Sequence, residues 1–199
     1  KPKDDKTYDA AVKEGSDALA HIAAACHSLP EQEIHRRGTY PVLSTGFSMG
    51  TGRTVAGNMK PENDEQEEAM RYLVDHPAFT RIVGHIDTSL KAGAPKLHRH
   101  IGALVEEVMD ADPLLKKPFA NTVYPACTFN LGKKVATFVH KDNLNLPYGW
   151  CAVTALGEYD FEMGGHLYLR DLNILLEFPP GCTIFLPSAV VAHCQKRSL

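Results

Sequence analysis

Apolar residues recur every three to four positions through the first part of the chain, and from Asn121 onward they come in short β-branched and aromatic runs separated by turn residues. The first spacing marks a helix with one buried face; the second marks strands. Residues 1–28 form an alanine-rich helical stretch in which Tyr8, Ala11, Val12, Ala18, Leu19, Ile22 and Cys26 line up as one stripe, and Leu29-Pro30 closes it. Pro61-Glu62 opens a second helix over 63–75, acidic in its first turns as the helix dipole favours. A third helix is expected over 77–90. Pro95-Lys96 starts a fourth, running to 110, with Leu97, Ile101, Leu104, Val105 and Val108 at helical spacing.

Strands are expected over 122–129, 134–140, 150–156, 166–171, 173–178, 182–186 and 189–193, with Pro179-Pro180-Gly181 as a tight reversal. Helices first and strands afterwards predict an α+β fold in which the helices buttress a curled antiparallel sheet. Seven short strands suit a double-stranded β-helix, or jelly-roll, core. The 199 residues are expected to form one domain, with 1–120 as helical support and substrate loops and 121–199 as the core. Between them, 38–60 is rich in small residues and glycine, notably Gly50-Thr51-Gly52-Arg53, and reads as loop crossing a ligand mouth. It lacks the GxxxxGK pattern of a phosphate cradle.

Composition narrows the classes. A net charge of -3 gives no general electrostatic case for nucleic acid, so a DNA-binding surface would have to be a local basic patch. The densest basic cluster is Lys96, His98, Arg99 and His100, which reads either as a solvated helix face or as a contact to phosphates or an acidic partner. Five cysteines, an odd number without CxxC spacing, argue against a disulfide framework and a zinc ribbon, and suggest reduced core residues of an intracellular protein. No signal peptide opens the chain and no apolar run approaches membrane-spanning length. A soluble protein of the cytoplasm or nucleus is expected.

The chemistry concentrates at His140-Lys141-Asp142 and His193. On an extended segment an imidazole and a carboxylate two residues apart point to the same side. A second imidazole from a later strand completes one face of an octahedron and leaves three cis positions open, the 2-His-1-carboxylate triad that suits Fe(II). Structural zinc would instead want four closed ligands, usually including thiolates. The apolar runs 134–139 and 183–192 lead into the two ligand groups and place them at strand ends, where a rigid scaffold holds chemistry. Trp150 reads as core, and Asp160 and Glu162 as an exposed loop.

Several motifs together resemble a known family. Phe138-Val139-His140-Lys141-Asp142, Pro147-Tyr148-Gly149-Trp150-Cys151-Ala152, Gly164-Gly165-His166-Leu167, Glu177-Phe178-Pro179-Pro180-Gly181 and 186–193 are similar to the fungal branch of the TET/JBP dioxygenases, the TET-like oxygenases of mushroom-forming fungi. Tyr40-Pro41-Val42-Leu43-Ser44-Thr45-Gly46 and His76-Pro77-Ala78-Phe79 extend the resemblance over roughly residues 40–199. It implies Fe(II)- and 2-oxoglutarate-dependent oxidation, with O2, of the methyl group of a methylated base in double-stranded DNA, 5-methylcytosine or N6-methyladenine, by a nuclear monomer. Other substrates of the same chemistry are RNA, a protein side chain or a small molecule. The alternative from another class is an inactive jelly-roll that binds nucleic acid or protein.

By position, the resemblance makes His140, Asp142 and His193 the iron ligands, and His166 a structural residue. The family's arginine for the distal carboxylate of 2-oxoglutarate lies on the last core strand. Arg197 is the only arginine after His193, and Lys196-Arg197-Ser198-Leu199 resembles that strand with its connecting loop missing. Asn130 and Tyr124 are further candidates for 2-oxoglutarate or substrate contact, against a satisfied sheet role for each. A base must leave the duplex to reach iron, so base flipping is implied, with Arg53, Lys60, Lys96, Arg99, Lys133 and Lys134 as candidate phosphate contacts.

Overall fold

The computed structural model describes residues 1–27, 29, 38–49, 54–132 and 135–195, together with the main chain of 34 and 35. In chain order the elements are α1 (Lys6–Ala25), β1 (Ile34–His35), β2 (Gly38–Thr39), β3 (Val42–Ser48), β4 (Gly57–Asn58), α2 (Asp64–Asp75), α3 (Pro77–Gly93), α4 (Pro95–Ala111), β5 (Ala126–Asn130), β6 (Cys151–Thr154), β7 (Leu167–Leu169), a 3-10 turn (Arg170–Leu172), β8 (Ile174–Leu176), β9 (Thr183–Leu186) and β10 (His193–Gln195). The fold is therefore mixed, with helices and small antiparallel sheets. Its chain groups into two compact units, 1–42 with 130–199 and 43–129.

In the first unit, α1 starts where the Asp5 carboxylate accepts the N–H groups of Thr7 and Tyr8, which satisfies two of the helix's otherwise unpaired donors. Its stripe of Tyr8, Ala11, Val12, Ala18 and Ile22 is buried. The Tyr8 hydroxyl donates to the Gly181 carbonyl at 3.1 Å, which ties the helix to the expected Pro179-Pro180-Gly181 reversal. There Gly181 takes a positive φ of 80° and the Cys182 N–H closes the turn on the Pro179 carbonyl. Strands β6 and β9 pair antiparallel from Cys151↔Leu186 to Thr154↔Thr183, and β10, β7 and β8 form a three-stranded sheet in that order. Ala155, Leu167, Leu169, Phe178 and Leu186 make the core beneath them.

In the second unit the helices begin as the sequence suggests. Asn63 accepts the Gln66 N–H, His76 Nδ1 accepts the Ala78 N–H, and Pro77 and Pro95 occupy first-turn positions where a missing N–H costs nothing. The core gathers Phe47, Ile101, Val105 and Leu115, and Phe79 meets Phe129 edge to face at 5.0 Å.

The structure departs from the sequence reading in several places, three of which bear on the site and its surroundings. Residues 42–48, expected as loop, form β3, which pairs with β4 through Phe47↔Asn58 and also with β5. Leu43 and Phe47 are buried, and that burial outweighs the loop signal of the neighbouring small residues. The expected strand over 134–140 reduces, among the described residues, to bridges Gly38↔Thr137 and His140↔His193. Ahead of His193, 188–191 turns instead of extending, with the Val190 and Val191 N–H groups both closing on the Pro187 carbonyl. Among the described residues no helix is long and apolar enough to cross a membrane.

Candidate metal centre

Two short stretches of backbone meet at His140 and His193. Each residue's N–H donates to the other's carbonyl at 3.0 Å, which makes them directly opposed residues of an antiparallel pair. Opposed residues project from the same face, and the two imidazole centroids lie 4.4 Å apart with their planes at 52°. Asp142, two residues beyond His140, returns to that face and brings Oδ1 to 3.9 Å from His140 Nε2. One ligand atom from each of His140, Asp142 and His193 lies within 4.8 Å of the other two. Asp142 and His193 are buried and His140 is half-buried.

The ring orientations are set by the backbone. His140 Nδ1 sits 2.7 Å from the Phe138 carbonyl, and His193 Nδ1 sits 2.9 Å from the Val191 carbonyl. A carbonyl only accepts, so each Nδ1 carries a proton and donates, which in the neutral ring leaves the lone pair on Nε2. This is the tautomer a metal-binding histidine needs, held by an outer hydrogen bond. Two neutral nitrogens and one carboxylate oxygen are a donor set for a divalent cation that accepts mixed nitrogen and oxygen ligands, with further coordination positions left over.

The Asp142 main chain is gripped on both sides. Its N–H donates to the Ser188 carbonyl at 2.9 Å, and its carbonyl accepts the Asn145 N–H at 2.9 Å. The Asn145 amide donates to Ser188 Oγ at 3.1 Å and to Cys151 Sγ at 3.0 Å, and Ser188 Oγ–H donates to the same sulphur at 3.1 Å. Ser188 is almost fully buried. On the other side of the chain, Lys141 pairs with Asp171, whose carboxylate also accepts the Ala192 N–H. Those two contacts, the Ala192 N–H first, hold the Asp171 carboxyl below its usual range. Sequence reasoning passed over Asn145, Ser188, Cys151 and Asp171, because nothing local in the chain marks residues that meet across such separations.

Other sequence candidates are distributed widely. Asn130 is exposed at the end of β5, and Tyr124 is half-buried, with its N–H donating to Thr122 Oγ1. Lys60, Lys96 and Arg99 are exposed. Within their basic cluster His98 is committed elsewhere, its Nε2 lying 2.9 Å from Asp87 Oδ2. Arg53, Lys133, Lys134 and Arg197 lie outside the described residues. His166 is half-buried just before β7. Trp150, expected in the core, is 37% exposed, because it sits one residue ahead of β6 at the end of a turn. All five cysteines are free thiols.

No family model matches the chain, and no curated protein matches it. Among solved structures it is similar to NgTET1 in complex with 5mC DNA, with a TM-score of 0.65 at 15% sequence identity over 94% of this chain. The aligned region spans 63% of that NgTET1 chain. At this identity the likeness is one of fold, and the fold is TET-like.

Proposed function

We propose that the chain is an Fe(II)- and 2-oxoglutarate-dependent dioxygenase that oxidises the methyl group of a methylated base in DNA. The observation that carries this reading is the convergence of His140, Asp142 and His193 inside a TET-like fold. That NgTET1 was solved with 5mC DNA supports DNA as the substrate class and 5-methylcytosine as the first base to test, with N6-methyladenine second. Under this reading the small sheets of the first unit belong to a double-stranded β-helix.

His140 and His193 would hold iron through Nε2, and Asp142 through its carboxylate. When bound, Fe(II) would supply the coupling of 2-oxoglutarate decarboxylation to C–H hydroxylation, with O2 giving one oxygen atom to the succinate formed alongside CO2 and the other to the new hydroxyl. The protein's part is positional. The Phe138 and Val191 carbonyls keep Nδ1 of each imidazole as the donor and the ring aimed. The burial of Asp142 and His193 keeps bulk water from their ligand atoms. Arg197 is proposed to pair with the distal carboxylate of 2-oxoglutarate, with Asn130 and Tyr124 as lesser contacts. Arg53, Lys60, Lys96, Arg99, Lys133 and Lys134 are proposed phosphate contacts for a duplex whose target base is flipped out.

The test is succinate release by anaerobically reconstituted Fe(II) protein given 2-oxoglutarate, O2 and matched duplexes carrying 5-methylcytosine, N6-methyladenine or no methyl group, beside Asp142→Ala. Methyl-dependent turnover that vanishes in the variant is the expected result and selects the base. Bound iron without turnover on any duplex would remove DNA as the substrate.

A further inference from the structure

Lys141 stands between two of the candidate ligands, and strand alternation sends its side chain away from them. Its ammonium meets Asp171 Oδ2 at 3.1 Å. The same oxygen accepts the N–H of Ala192, the residue just before the third candidate ligand, at 3.0 Å. One carboxylate oxygen thus spans both stretches of chain that supply the cluster. The grip on Ala192 is two-sided, since its carbonyl accepts the Arg170 N–H at 2.8 Å.

The placement follows from the fold. Strand β7 pairs with β10 so that Leu169 faces His193, and the chain then enters the 3-10 turn that carries Asp171. Asn173 ends that turn in a left-handed conformation, φ 52°, with its Oδ1 accepting the Tyr168 hydroxyl at 3.0 Å. The turn is thereby anchored at its far end and presents Asp171 to the back of the cluster.

We infer that Asp171 is the positioning residue of the metal centre, fixing the spacing between the His140–Asp142 segment and His193 from the side opposite the ligands. The inference rests on the metal-centre reading above. Both partners of the pair are more than two-fifths exposed, 42% for Lys141 and 43% for Asp171, so the contact adds little to folding. A metal site is less forgiving, because ligands must be held to about half an ångström. Outer hydrogen-bonding groups around metal ligands change metal affinity by about 10- to 100-fold when removed.

Anaerobic Co(II) titration, followed by its d–d absorption and by competition with a chelator, reads the metal site without any turnover. The comparison is wild type, Asp142→Ala, Asp171→Ala and Asp171→Asn, each also melted without metal. Asp171→Ala is expected to bind Co(II) about tenfold more weakly with an altered d–d band, while its metal-free melting point stays within a few degrees of wild type. Asp171→Asn keeps an acceptor for the Ala192 N–H and should recover most of the affinity. Wild-type affinity and spectrum in Asp171→Ala would overturn the inference and leave the metal centre standing. An affinity loss matched by an equal loss of metal-free stability, and not recovered in Asp171→Asn, would make Asp171 a merely structural residue. No Co(II) binding by wild type, or equal binding by Asp142→Ala, would remove the metal centre and the inference with it.

Discussion

His140 and His193 hold each other in register through a reciprocal pair of backbone hydrogen bonds at 3.0 Å. A slip of one residue would turn His193 to the opposite face, so the pairing decides whether a metal site exists at all. With three protein ligands, loss of one leaves too few donors to hold a divalent cation. We expect His193→Ala and Asp142→Ala each to weaken Fe(II) or Co(II) binding by more than about 100-fold, beyond the range for outer groups. Chelator competition checks the expectation.

Ser188 offers a separate test on the other side of Asp142. Its hydroxyl accepts from Asn145 and donates to Cys151, and Ser188→Ala removes both contacts, leaving only the Asn145–Cys151 hydrogen bond of the triangle. Each hydrogen bond lost costs about 0.5–1.5 kcal/mol. Cys151→Ser keeps an acceptor for both donors and should cost less than Ser188→Ala. Equal losses in urea unfolding would mean that the network contributes through packing alone.

The convergence of His140, Asp142 and His193 was legible because its decisive signal is local: two residues of spacing on an extended chain, with a histidine further on. The helices were legible for the same reason, since one apolar stripe marks the first and Pro61, Pro77 and Pro95 mark the starts of the other three within a turn or so. Strand β3 was hidden because Gly46 and its small neighbours read as loop, whereas burial of Leu43 and Phe47 makes the segment a strand. Asp171 and Ser188 were invisible because each acquires its meaning from a partner far away in sequence. The apolar run ahead of His193 misled in the opposite sense: Pro187 folds it into a turn, and only the histidine itself begins the strand.

Gly46 gives a stability prediction of a different kind. It sits inside β3 at φ 95°, and a Cβ there would overlap the Pro125 carbonyl oxygen and lie 2.8 Å from Ala126 Cα. The obstruction is backbone, which cannot swing aside as a side-chain tip would. Gly46→Ala therefore combines left-handed strain with overpacking, each worth about 1–3 kcal/mol. A loss of at least about 2 kcal/mol in urea unfolding is expected on that sum. A near-neutral result would show that β3 and β5 can separate at Gly46 without cost.

Cys127 predicts how the protein responds to alkali. Burial pushes its thiol from the ordinary 9.0 up to about 12, because the thiolate would lose its hydration inside the fold. The raised value fixes the sign. Below the unfolded pKa both states keep the proton and the full stability is present. Between about pH 9 and about pH 12 the unfolded chain ionises while the folded chain does not, so stability falls as pH rises through that window. Cys127→Ala should begin with lower stability at neutral pH, from the small cavity it leaves, yet lose less on going alkaline. The variant should not become flat, since desolvation also raises the Tyr159 hydroxyl, which donates to the Phe178 carbonyl. Urea midpoints measured across that window for wild type and variant decide the matter. Parallel slopes would mean that water reaches the Cys127 sulphur. A shallower slope in the variant would establish it as a buried, chemically quiet thiol that should also resist alkylation in the native state.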